Sequence, residues 1–327
     1  MSQISVGTAV AEPGSKAFGA IEVTNQPGGA PVNIPIIIVN GVETGPVLWI
    51  DGCIHGSEPV GPLSILNLTQ QLEPEDVKGT VVGVPAMNLL ALEAARRGNP
   101  LDPFAYDMNR IYPGKPDGRL TQRVAWAHKE ALVSAADLEI SIHSGGKECF
   151  LSSTIFYGED DASLELAKAM GEGWPLILHS PHPSGSPMAA MLEKGKAAIT
   201  IELGGICNTL PKDMWANVDK IVGAFKNIMR HYGMLAGEAR YEGQWKSGQQ
   251  RAVLANRGGL WVPERDVAFQ EPMTEGEVVG RIYDVHGRVL EEISTPCDGE
   301  IFGIRTLPTV HAGEWVLFFA DRDGTIE

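Results

Sequence analysis

His55 and Glu58 stand three residues apart in His55-Gly-Ser-Glu58, directly after the apolar run VLWIDGC. A strand ending there delivers both side chains to the carboxyl edge of a sheet, where open α/β sheets bind ligands. Two ligands at this spacing across a strand-to-helix turn can converge on one ion, and a second histidine from a neighbouring strand end supplies a third. His143, followed by Ser-Gly-Gly, meets that need. Two histidines and a glutamate leave the fourth tetrahedral position of a zinc ion open to water, which marks a catalytic site and not a closed structural one. Taken alone, His55 and Glu58 are served equally well by metal binding and by capping of the next helix.

The spacing itself is weak evidence, because His311-Ala-Gly-Glu314 repeats it among short strands, where a turn is expected. His179 and His182 also resemble a metal pair, but SPHPSGSP is rich in turn formers and reads as a solvated loop. What sets the first pair apart is its company. Asp107-Met108-Asn109-Arg110 runs into Ile-Tyr-Pro-Gly, and Thr200-Ile201-Glu202-Leu203-Gly204-Gly205 follows later.

The ordered series HGSE, DMNRIYPG, SIHSGG and TIELGG resembles the succinylglutamate desuccinylase and aspartoacylase family, relatives of the zinc carboxypeptidases, over roughly residues 45 to 235. The resemblance implies that His55, Glu58 and His143 bind Zn2+ and that Glu202 is the general base and then the proton donor. It further implies that Asn109 and Arg110 hold a substrate carboxylate and that Asp107 receives the other ring N–H of His55. The chemistry agrees: a planar guanidinium grips a carboxylate bidentately, and a carboxylate beside the hydrolytic water can pass its proton to the leaving amine. For Asp107 a turn-capping role is an equal alternative, and for Arg110 the alternative is a surface salt bridge. The family's carbonyl-polarising arginine falls upstream of Asn109, with Arg97 preferred over Arg96. One position departs, since many members carry Asp two residues before the second histidine and this chain has Ser141.

The implied reaction is zinc-dependent hydrolysis of the amide bond in a small N-acyl amino acid or related carboxylate. The alternatives are a zinc carboxypeptidase acting on peptides and a non-catalytic zinc-binding scaffold. Glu202 beside three ligands counts against the scaffold, which has no use for a base.

Elements must bring these residues together. Between about residues 30 and 235, short runs such as PIIIV (35–39), VLWI (47–50) and TVVGV (80–84) alternate with helical stretches, the pattern of a largely parallel sheet covered by helices. In SEPVGPLSILNLTQQL, Ser57 is expected to cap a helix with Glu58 in its first turn, and Ile65, Leu68 and Leu72 share a face. In LEISIH, Glu139, Ser141 and His143 point one way and the apolar residues the other, and ITIEL places Glu202 opposite Ile199, Ile201 and Leu203. The expected fold is α/β, a three-layer α/β/α sandwich with a mixed, mostly parallel sheet over residues 1–242, opened by a short β segment at 1–30. Residues 243–327 read as an all-β, barrel-like module that resembles a lipoyl domain, but Lys246 is its only lysine and offers no attachment point at a hairpin tip.

Composition narrows the class. With 43% hydrophobic and 20% charged residues over 327 positions, the chain can bury a large core. A net charge of −15 argues against nucleic acid and anionic membrane surfaces, which ask for a basic face. Four cysteines without a CxxC pair read as buried thiols. The opening segment lacks a cationic start followed by an apolar run, and no stretch approaches about 18 apolar residues, so a cytoplasmic enzyme is expected. The expected partner is a small-molecule substrate, and the sequence leaves homo-oligomerisation open.

Overall fold

Runs rich in Ile and Val form the middle of a mixed sheet in the computed structural model, which describes residues 2–180, 184–321 and 324–326. A ribbon of β1 (Ile4–Val6) and β2 (Ala9–Ala11) precedes β3 (Ser15–Asn25), β4 (Pro31–Asn40), β5 (Glu43–Gly52) and β6 (Lys78–Val84). β7 (Leu138–His143), β8 (Cys149–Tyr157), β9 (Leu176–His179) and β10 (Ala197–Gly204) follow. The helices are α1 (Val60–Gln71), α2 (Leu89–Glu93), α3 (Leu120–Ala135), α4 (Asp161–Lys168), α5 (Pro187–Leu192) and α6 (Pro211–His231).

Neighbouring strands take the order β8-β10-β7-β5-β6-β4-β3. The four central strands, β10, β7, β5 and β6, are parallel, while β8 on one side and β4 on the other run antiparallel to them. Every residue of β7 is buried, as befits a central strand covered on both faces. Leu48, Ile50 and Ile140 pack with Ile65 and Leu68 of α1 and with Phe225 of α6. Their alternates Trp49 and Val82 pack instead with Val124 and Leu132 of α3. The fold is therefore α/β, with apolar packing on both faces of the central strands.

One local expectation is corrected. Ile65, Leu68 and Leu72 are all buried as their spacing predicts, but α1 begins at Val60, with Pro59 as its N-cap and no side-chain capping bond. Ser57 does not cap the helix, and Glu58 precedes it. The backbone N–H of Glu58 donates to the carbonyl of His55 at 3.1 Å, closing a turn that keeps both residues off the helical path.

From residue 243 the chain is β-rich, with β11 (Trp245–Leu254), β12 (Gly259–Pro263), β13 (Val278–Tyr283), β14 (Val289–Ser294), β15 (Gly299–Arg305), β16 (Thr309–Val310), β17 (Trp315–Asp321) and β18 (Gly324–Ile326). A small sheet, β14-β13-β12-β16, covers Trp261, Val279 and Ile282. The other strands extend the large sheet: β11 lies parallel beside β9, β17 joins β11 to β15, and β15 pairs antiparallel with the start of β8. Strands β8, β9, β11, β17 and β15 thereby close a ring. Lys246 lies within β11, its Nζ 2.6 Å from Glu300 Oε2. Among the described residues no helix is long and apolar enough to cross a membrane.

Candidate active site

The parallel strands end together at their carboxyl edge, and the polar residues of interest collect there. β5 stops at Gly52, and Cys53 turns the chain away through a left-handed conformation, φ 57°, which is uncommon for a residue with a Cβ. Gly56 lets the turn lie against backbone: a Cβ there would stand 2.0 Å from the carbonyl oxygen of Ala91. His55 and Glu58 are thereby set over the sheet edge, and His143 arrives as the last residue of β7.

The three side chains are buried and meet. His55 Nδ1 is 2.9 Å from Glu58 Oε1, and His143 Nδ1 is 3.2 Å from Glu58 Oε2. One ligand atom from each of the three lies within 4.8 Å of the other two. The backbone N–H of Ser144 donates to Glu58 Oε2 at 3.1 Å. Burial alone would raise the Glu58 carboxyl, but the adjacent His55 and hydrogen bonds from both histidines hold it well below the usual carboxylate range.

Asp107 and Arg97 extend the cluster outward. Asp107 Oδ1 stands 3.0 Å from His55 Nε2 and also accepts the backbone N–H of Asn109 at 3.0 Å, so it both faces the histidine and caps the turn Met108–Arg110. Arg97 Nη2 is 3.1 Å from Asp107 Oδ2, and its Nη1 is 3.8 Å from Glu58 Oε1. Burial works against ionisation of Asp107, yet His55 and then Arg97 and Arg110 hold it well below the usual range. Arg96 lines the same cavity, but Arg97 makes the contacts to the cluster. Asn109 and Arg110 line it as well; Asn109 Oδ1 is buried without a hydrogen-bond partner among the described residues, and the Arg110 side chain donates to the Asn109 carbonyl at 2.7 Å.

Glu202 sits on β10 as the register partner of His143. Its Oε2 is buried and has no hydrogen-bond partner among the described residues. Burial raises its pKa to about 8; His143 and Arg97 pull it down, and the charge of Glu58 pushes it up.

Other sequence candidates lie elsewhere. His179 Nδ1 is 3.4 Å from Glu159 Oε1, and His182 falls outside the described residues. His311 and Glu314 form a turn, the His311 backbone N–H donating to Glu314 Oε2 at 2.9 Å. Reading by motif missed two groups. Beneath the cluster lie the fully buried Asp51, Glu139 and His128, with His128 Nε2 3.5 Å from Asp51 Oδ2 and its Nδ1 3.0 Å from the Tyr112 hydroxyl. Asp51 is the register partner of Ser141, and an acid four residues before His55, on the His143 side of the alternation, was its available signal. The second group is the tail's contribution to the cavity wall, among it Gln250, Phe302, Trp315 and Phe318. No local pattern announces it.

Comparison with known proteins shows the family. Residues 44–230 match the family described as the succinylglutamate desuccinylase/aspartoacylase catalytic domain. Over 306 residues the chain is 31% identical to the N-alpha-acetyl-L-2,4-diaminobutyric acid deacetylase of Halomonas elongata, covering 89% of this chain and 86% of that one. Its fold is similar to a crystal structure of a succinylglutamate desuccinylase/aspartoacylase from Rhodobacter sphaeroides, with a TM-score of 0.82 at 23% identity over 94% and 96% of the two chains. It is likewise similar to the product-bound ectoine utilization protein EutE (DoeB) from Ruegeria pomeroyi, with a TM-score of 0.79 at 23% identity over 94% of each chain. The chain belongs to the succinylglutamate desuccinylase/aspartoacylase family.

Proposed function

We propose that this protein is a zinc-dependent deacylase that hydrolyses the amide bond of a small N-acyl amino acid. The observation that carries the reading is the convergence of His55, Glu58 and His143 within 4.8 Å, beside a buried glutamate oxygen without a partner among the described residues. The donor set fits the metal: two imidazole nitrogens and one carboxylate are the ligands of a catalytic zinc site that keeps a position open. When bound there, zinc supplies Lewis-acid polarisation of the carbonyl and lowers the pKa of water.

The chain's own residues do the rest. Glu202 takes a proton from the hydrolytic water and delivers it to the leaving nitrogen. The C–N bond breaks, the water oxygen stays on the acyl carbon, and a carboxylate and an amine leave. Asp107 holds the tautomer of His55 and anchors Arg97, whose guanidinium is aimed at the developing oxyanion. Asn109 and Arg110 grip the substrate carboxylate. The large part of the chain is read as the three-layer α/β/α sandwich of the zinc carboxypeptidases. A small substrate is favoured over a peptide because the tail residues Gln250, Trp315 and Phe318 wall the cavity. Support for an N-acyl amino acid also comes from the name of the Halomonas relative, a deacetylase of an acetylated amino acid.

The test is amine release from N-acetyl, N-succinyl and N-formyl amino acids by chelator-treated protein with and without added zinc. Zinc-restored release from at least one is expected. Full release after chelation, or none from any with zinc, overturns the reading.

A further inference from the structure

A second cavity, of about 610 Å³, shares no lining residue with the one around Glu202. One face of α6 forms its floor, where Lys220, Gly223, Ala224, Asn227 and Arg230 recur at helical spacing. The walls are the turn after α4, with Glu172, and the segment after α6, with Glu238 and Arg240. Asn227 clamps the second wall, its Nδ2 donating to the Arg240 carbonyl at 2.7 Å and its Oδ1 accepting the Arg240 N–H at 2.8 Å. Gly171 brings the first wall against the same side chain, since a Cβ there would stand 2.5 Å from Asn227 Nδ2. Two features of this groove have no explanation in the packing. Gly223 lies in the middle of a 21-residue helix, where glycine costs about 0.5–1 kcal/mol relative to alanine, yet a Cβ there would meet nothing within 4 Å. No neighbour demands a glycine; its effect is a bare floor. Lys220, Arg230 and Arg240 surround that floor in a chain of 41 acidic and 26 basic residues, and among the described residues none of the three is paired with a carboxylate. Lys220 Nζ donates to Ser153 Oγ at 2.9 Å, and burial pulls its pKa below the ordinary value against the opposing charge of Glu242.

We infer that this groove is a second ligand site, taking a small molecule with an anionic group, phosphate or carboxylate, at each end. Its volume falls in the range of about 300–1,000 Å³ typical of small-molecule sites. Lys220 and Arg230 stand about 15 Å apart along the α6 axis, so one compact ion cannot engage both. Arg230 and Arg240 take one end of the ligand, each guanidinium offering two N–H donors to a pair of anionic oxygens. Lys220 takes the other end, and the body of the ligand lies over Gly223. Glu172 and Glu238 are exposed at the rim and leave the floor to the cations.

The test is calorimetry on the full chain as purified, with hexane-1,6-bisphosphate, octanedioate and inorganic phosphate as probes. At least one long dianion should bind about tenfold or more tighter than inorganic phosphate, and less tightly as salt rises. Which of the two binds better tells a phosphate-bearing ligand from a dicarboxylate. Joint replacement Arg230→Gln and Arg240→Gln should weaken that binding about tenfold to a hundredfold. Gly223→Glu displaces nothing and exchanges a poor helix former for a better one, so its melting temperature should hold or rise while binding weakens at least about tenfold. It covers the case in which the double variant fails to fold. Arg110→Ala separates the groove from the cavity around Glu202 and should leave binding unchanged. Binding that is lost in Arg110→Ala and kept in Gly223→Glu places the dianion in that other cavity and overturns the groove. Long dianions that bind no better than inorganic phosphate, or whose binding ignores both groove variants, overturn it as well.

Discussion

Replacing Glu202 with glutamine separates chemistry from metal binding more cleanly than any other change in this site. Glu202 Oε2 has no hydrogen-bond partner among the described residues, so the isosteric amide breaks no observed contact there. The three side chains of the metal cluster keep their contacts to one another, because Glu58 is held by both histidines and by the Ser144 N–H. A neutral amide in place of a carboxyl that burial already holds toward its protonated form adds no charge beside Glu58, so neither zinc content nor melting temperature is expected to fall. What disappears is a group able to accept and return a proton. General acid–base catalysis contributes about 10²- to 10⁴-fold, roughly 3–5 kcal/mol of barrier, and kcat of Glu202→Gln should fall by that order with KM little changed. Metal analysis, thermal melting and steady-state kinetics on the same preparation make the comparison. Near-normal turnover, or loss of zinc, would refute the role given to Glu202.

The metal set predicts that His55→Ala and His143→Ala each lose zinc by metal analysis while His179→Ala keeps it, since His179 pairs with Glu159 away from the cluster. Arg110→Ala should raise KM about tenfold to a hundredfold for substrates with a free carboxylate and far less for their esters, the size of a lost charge-assisted hydrogen bond; an equal loss on both counts against carboxylate binding. Asp51→Asn tests the buried cluster: burial raises Asp51 from 3.8 to about 7 and lowers His128 from 6.5 to about 3. Between about pH 4 and 7 the folded chain holds a proton on Asp51 that the unfolded chain releases, so this group's contribution to stability declines as pH rises, by up to about 4 kcal/mol, while His128 slopes the opposite way. Asp51→Asn removes only the first slope. Its denaturation free energy relative to wild type should therefore climb from pH 4 to pH 7, and a constant offset would count against a protonated Asp51. Truncation after Tyr241 should aggregate, because it strips β11 from the edge of β9 and β15 from β8; a soluble, well-melting truncation contradicts that.

Much of the site was legible because it depends on local pattern. A strand period of two placed Glu139, Ser141 and His143 on one face and Glu202 opposite its apolar neighbours, and the run VLWIDGC marked the strand end that carries His55. The residue types then limited the chemistry. What the pattern does not encode is which distant segment a strand pairs with. β11 reads as the start of a separate all-β stretch, yet Lys246 to Gln249 pair with Leu176 to His179 of β9, and nothing in either run names the other. The Asp51–His128 approach is hidden in the same way, since it joins β5 to α3 across the intervening α1, β6 and α2. Ser57 failed as a cap for a local reason: the His55–Glu58 turn was closed by backbone bonding, which side-chain preference cannot reveal.

Carboxyl groups gathered within a few strands of one another are put to different use by their partners alone. Glu58 is surrounded by two imidazoles and a backbone N–H, and Asp107 by an imidazole and a guanidinium, so both stay ionised despite burial. For Glu202, Asp51 and Glu139 burial outweighs whatever partners they have, and they hold their protons more tightly. Environments that push neighbouring titratable groups apart mark a division between holding and proton transfer. Of the three proton-holding groups, Asp51 and Glu139 are fully enclosed on the inner part of β5 and β7, where no substrate reaches them. Glu202 alone lines the cavity beside the metal cluster. On the proposed reading a base has to be reachable, close to the metal ligands and not already committed to a cation, and Glu202 is the carboxyl proposed here because it meets all three conditions.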